Sequence, residues 1–260
     1  MNYRFSDESK IMFNKKGKVV FFSLVCLTII YWFLALWYKN KTAYTKQLVI
    51  FYAIFGPIFN YNPWLDFWQY IYQFIMTVIF FAIIPYIIVR YYFKEEFKNY
   101  GLTWGNKKFG FLLLIPLVFV LFVVAIFVSQ DSELQLEYPL SKLIGINWLV
   151  LIFYEISYFF YFFAYEIIMR GYLQWGLKRE EISIKSIIII LMIQTMITTL
   201  FHIGKPSSEI FLALIMGPII GYAALKLDSI YYGMILHFII NVFMDFFILY
   251  RLDLLPTAFI

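Results

Sequence analysis

Apolar residues fill this chain in long blocks, and polar residues gather in the short stretches between them. A helix rising 1.5 Å per residue needs about 20 apolar residues to cross a hydrocarbon layer of roughly 30 Å. Blocks at 19–38, 67–93, 109–128, 148–177, 186–201, 210–225 and 230–249 are read as spanning helices. The second exceeds one span and is expected to tilt or to kink at Pro85. Residues 47–59 are apolar too, but they are few and include Gly56-Pro57, which suits an interfacial or re-entrant piece. The pattern predicts an all-α fold, a polytopic membrane helix bundle of about seven transmembrane helices. Residues 1–18 form a polar N-terminal segment and residues 19–260 one integral-membrane domain. The first block ends in Trp37-Tyr38-Lys39 without a small-residue cleavage site, so it is expected to be retained.

Composition sharpens this picture. Apolar types make up 63% of the 260 residues and charged types 14%, far from the roughly 45–50% apolar share of a soluble domain, and intrinsic disorder is excluded by the same figures. The net charge of +5 comes mostly from loops. With the N-terminus inside, the inner segments hold fourteen Lys and Arg and the outer ones six, which predicts a cytoplasmic N-terminus in the cell (inner) membrane. No nucleic-acid partner is implied; the lipid bilayer is. The lone Cys26 allows no disulfide within the chain.

Against this apolar ground the polar residues inside the spans carry the chemistry, because each costs about 2.5–3.5 kcal/mol at mid-helix and usually faces the bundle interior. The fourth block holds Glu155, Glu166 and Arg170, the last two four apart on one helix face. The fifth ends at His202, followed by Lys205-Pro206 and Glu209. The seventh carries His237, Asn241 and Asp245 along one stripe. The chain has only two histidines, and both are here. A carboxylate with a histidine can activate water, and a second histidine with an amide can stabilise an oxyanion, so hydrolysis is the natural chemistry. The bland readings are a buried Glu166–Arg170 pair fixing register, His202 closing a helix, and Asn241 and Asp245 joining helices by hydrogen bonds. A zinc site of two histidines and one carboxylate is also open, although no cofactor is firmly predicted.

These residues resemble the CAAX prenyl endopeptidase and bacteriocin-processing and immunity (CPBP, or Abi) family of polytopic membrane proteins. The first family motif, Glu-Glu-x-x-x-Arg-Gly, is matched by Tyr165-Glu166 to Arg170-Gly171. The second ends in a histidine, matched by His202, and the last, His-x-x-x-Asn, by His237 and Asn241. The family-like core covers about 148–249. Tyr165 stands where the family has the glutamate thought to activate water, as in a branch with one Glu in this motif and His202-x-x-Lys205-Pro206-x-x-Glu209 after it.

The resemblance implies an intramembrane endopeptidase acting on a membrane-associated protein or peptide, with Glu166, Arg170, His202, His237 and Asn241 as its site. Tyr165 leaves a second reading open, a catalytically silent membrane peptide-binding, immunity or scaffold protein. A small transporter is the third reading, without the internal symmetry such folds usually show. His202 closes its block whereas His237 lies about 10 Å into its own, so the fifth helix must be short, tilted or displaced for them to meet.

Overall fold

The computed structural model describes residues 14–34, 37–39, 46–178 and 183–259, with the side chains of 37–39, 46 and 47 left aside. Most of the expected polar N-terminal segment, the outer Lys41 and the inner Arg179 therefore lie outside the described residues. The chain is a helical bundle. In order come α1 (Lys15–Leu34), strands β1 (Trp37–Lys39) and β2 (Lys46–Leu48), α2 (Val49–Ile58), α3 (Trp64–Tyr92) and α4 (Lys107–Val128). Then follow a short α5 (Ser132–Glu137), α6 (Trp148–Trp175), α7 (Ile184–Leu200), α8 (Ser207–Leu227) and α9 (Tyr231–Arg251). Six of these are long and apolar enough to cross a membrane: α1, α3, α4, α6, α8 and α9.

The seven expected blocks map onto α1, α3, α4 and α6 to α9, with ends shifted by a few residues. One correction falls on the first. Its helix stops at Leu34, and Trp37–Lys39 instead pairs antiparallel with Lys46–Leu48, Trp37 opposite Leu48. Aromatic residues suit an extended backbone, and apolar content alone does not separate them from a helix end. The ten residues of α2 reach only about 15 Å, half a hydrocarbon layer. Polar Gln69 on α3 ties this piece down, its side-chain oxygen accepting from the Leu48 backbone N–H at 3.0 Å.

Proline and capping chemistry explain the helices' details. In α3 the backbone widens to i, i+5 bonding at Ile79–Ile83 and Ile88–Tyr92, on both sides of Pro85, whose missing N–H removes a regular bond. Asn106 and Asn147 start α4 and α6 by accepting from the N–H groups of Phe109 and Val150. Phe22, Phe119 and Phe211 project outward with about two thirds or more of their surface exposed, as lipid-facing side chains do.

The second half of α6 is the centre of the bundle. It is α-helical to Glu166 and π-helical over Ile167–Trp175, and all nine residues of the wider stretch are buried. A helix buried on every side must be surrounded, and α1, α3, α7, α8 and the 97–100 turn supply its walls. Gly171 lets that turn approach, since a Cβ there would meet the Tyr100 carbonyl at 3.1 Å. Small residues do the same for α8. A Cβ on Gly221 would lie 2.7 Å from Gln194 Oε1 and 2.8 Å from Leu191 Cδ2, while Gly217 faces Thr195. Gly221→Leu is expected to force α7 and α8 apart and to cost about 1–3 kcal/mol. The check is the unfolding midpoint in detergent; an unchanged midpoint would mean that this contact does not set the helix spacing.

Candidate functional site

The first motif places its two charged residues as the i, i+4 spacing foretold. Arg170 Nη1 donates to Glu166 Oε1 at 2.6 Å, and the side chains are 1% and 0% exposed. His237 joins them from α9, its Nδ1 lying 2.7 Å from the same Glu166 oxygen. A ring nitrogen facing a carboxylate at that distance acts as the donor, so Nδ1 carries the proton. The imidazole is one quarter exposed, and with Nδ1 engaged its Nε2 is the atom left to meet a reactant.

Glu166 Oε2 is buried and takes no hydrogen bond. Room for it comes from Gly233, one turn before His237 on α9, where a Cβ would sit 3.1 Å from Oε2 and 2.9 Å from Ile220 Cγ2. Sequence reasoning missed Gly233. Its only trace was its place four residues before His237 on the same stripe.

His202 follows the last turn of α7, with Nδ1 2.8 Å from the Thr198 carbonyl oxygen. A carbonyl only accepts, so Nδ1 donates here as well. Nε2 lies 3.9 Å from Glu209 Oε1, at the start of α8, and both side chains are partly exposed. Burial holds the His202 pKa below its ordinary value; Lys205 and His237 push the same way, and Glu209 and the Thr198 hydrogen bond oppose them. His202 is therefore neutral near pH 7, with a lone pair on Nε2. Glu209 also accepts from the Tyr138 hydroxyl at 2.8 Å, and Lys205 pairs with Glu137 at 2.7 Å. The segment before α6 is thus tied to the α7–α8 turn, a contact across some seventy residues that no local pattern announces.

Tyr165 packs beside His237 and against the residue that precedes His202. Its ring centroid is 6.0 Å from that of His237 and 6.3 Å from that of Phe201, the neighbour of His202. Arg170 sits 5.6 Å over the same ring, and the buried hydroxyl lies beside Thr198 and Arg170. The depth problem is met by a short α7 of 17 residues, which brings its last turn to the level of Tyr165. The two histidines share this neighbourhood through Tyr165 and not by direct contact.

Asn241 lies one turn beyond His237, and its amide donates to Asp245 at 3.3 Å, away from Glu166. Asp245 in turn lies against Glu155, a second carboxyl group, with Lys142 nearby. The structure thus gathers Glu166, Arg170 and His237, sets His202 with Glu209 beside them, and joins Asn241 to a separate acidic cluster.

A divalent metal such as zinc does not fit these residues. Among the described residues no three of His, Cys, Asp and Glu stand together as metal ligands. The Glu166 oxygen nearest a histidine is already held by a guanidinium, whose charge repels a cation.

Residues 146–243 match the family model described as Type II CAAX prenyl endopeptidase Rce1-like. The match runs from the turn before α6 into α9 and takes in Glu166, Arg170, His202, His237 and Asn241. The resemblance read from the motifs is borne out over this stretch, which is similar to a protease family. Taken with the six long apolar helices, the match marks the chain as an integral membrane protein. No curated protein and no solved structure matches the chain.

Proposed function

We propose that the protein is an intramembrane endopeptidase that hydrolyses a peptide bond in a membrane-associated protein or peptide, with water activated by a carboxylate and a histidine. One observation carries the reading: a fully buried carboxylate, anchored by Arg170, holds a partly exposed imidazole by one ring nitrogen. A charge buried at this cost is retained where it sets another group's position. The similarity of residues 146–243 to a protease family supports the same reading.

In this reading Glu166 positions His237, and Arg170 fixes Glu166. With Nδ1 held by Glu166, His237 presents Nε2 to the oxyanion that forms when water attacks a carbonyl. Asn241 is the second oxyanion donor, since its 3.3 Å bond to Asp245 is long and easily exchanged. His202, with Nδ1 engaged and Nε2 open, accepts a hydrogen bond from the attacking water and orients it. The scissile bond then lies inside the bundle, where the last turn of α7 comes to the level of Tyr165 and His237, with the N-terminus of the chain cytoplasmic.

Tyr165 favours the second reading, a silent member that binds a membrane peptide, because an aromatic ring packed against His237 and Phe201 stands where the family has a glutamate. Comparing newly made protein termini in membranes of cells expressing wild type and Glu166→Gln, at matched folded levels, separates the two. Termini present only with wild type are expected, and they name the substrates. Identical sets of termini would leave a binding protein.

A further inference from the structure

The geometry points to Glu209 as the carboxylate that activates water in this chain, acting with His202 from the start of α8. The inference rests on the endopeptidase reading and names a catalytic residue within it. It begins from the 3.9 Å between His202 Nε2 and Glu209 Oε1. That distance is too long for a direct hydrogen bond, and it suits one water placed between the two groups. His202 commits its Nδ1–H to the Thr198 carbonyl, so in the neutral ring Nε2 is an acceptor. Two acceptors facing each other across that gap can be joined only by a molecule that donates twice, and water does so. A water donating both protons turns its lone pairs outward, ready to attack.

Three further observations favour Glu209 over Glu166 for this work. Glu166 Oε1 is occupied by Arg170 and His237, and Oε2 is enclosed against Gly233, whereas the Glu209 side chain is one fifth exposed. Glu209 Oε2 is buried without a hydrogen-bond partner, so this carboxylate has acceptor capacity that the fold does not use. Tyr138 and the Lys205–Glu137 pair hold the α7–α8 turn in place, which keeps His202 and Glu209 at their separation. Tyr165, at the position of the missing motif glutamate, lies next to this pair through Phe201 and Thr198.

The step balances as a hydrolysis. The water oxygen bonds to the peptide carbon while the carbonyl electron pair moves onto its oxygen, and one water proton passes to Glu209. The carbon–nitrogen bond then breaks, Glu209 returns that proton to the leaving nitrogen, and the products are a carboxylic acid and an amine. No oxidant or metal enters.

The test uses the purified full chain in detergent, a peptide library prepared from host membrane proteins, and water enriched in ¹⁸O. Each cleavage leaves one ¹⁸O on a new C-terminal carboxyl group. Glu209→Gln keeps an acceptor for Tyr138 and is expected to lower labelled termini by about 100-fold or more. Tyr138→Phe removes the hydrogen bond but keeps the carboxylate, and is expected to lose less than about 10-fold. Tyr165→Glu added to Glu209→Gln is expected to restore labelling, because it returns a carboxylate to the same water. Labelling that survives Glu209→Gln overturns the assignment while leaving the protease reading in place. Equal losses in Tyr138→Phe and Glu209→Gln reduce Glu209 to a structural anchor. Wild type without labelled termini overturns the protease reading, and this inference with it.

Discussion

Replacing Glu166 by Ala is expected to destabilise the folded bundle by about 3–5 kcal/mol, the cost of leaving one member of a buried ion pair alone. Arg170 is 1% exposed, and its Nε already lacks a partner, so no solvent is at hand to take over the lost carboxylate. His237 loses its acceptor at the same time. Unfolding by SDS titration in mixed micelles gives the comparison with wild type. The double variant Glu166→Leu with Arg170→Met removes both charges and is expected to regain most of that stability, since apolar residues of similar volume often replace a buried pair without loss. It is also expected to stay inactive, because nothing then holds His237. A double variant as unstable as the single one would remove the ion-pair explanation.

His237→Ala is expected to separate function from folding in the opposite way. The Arg170–Glu166 pair stays intact, and the ring being removed is one quarter exposed, so the cost in stability is small beside that of Glu166→Ala. Cleavage is expected to fall by about 10²–10⁴-fold, the usual worth of a positioned acid, base or oxyanion donor. Counting new termini in membranes at matched folded levels measures it. His237→Ala with wild-type cleavage would place the reaction elsewhere in the bundle.

The spans were legible in the sequence because hydrocarbon leaves a helix little choice: long apolar blocks gave α1, α3, α4, α6, α8 and α9 within a few residues. The Glu166–Arg170 pair was legible because it is local, four residues apart on one helix. The hairpin at Trp37–Lys39 was not, since Trp and Tyr are equally at home at the end of a span and in a strand. That His237 reaches Glu166 depends on how closely α9 approaches α6, which Gly233 decides, and spacing along one helix carries no distance to another. His202 and Glu209 stood out as residue types, while the Tyr138 and Glu137 contacts that frame them come from the end of α5, far away in the chain.

One oxygen of Glu166 bonds to its own helix through Arg170 and to α9 through His237, while Gly233 lets the two backbones close in around it. The joint makes α6 and α9 a fixed wall, because separating them would strip a buried carboxylate of its imidazole. Under the endopeptidase reading, a peptide is expected to enter from the other side, where α7 is short and its turn into α8 is exposed at Ile203 and Gly204. The bundle thus sets an anvil of two tied helices opposite a short helix with an open turn.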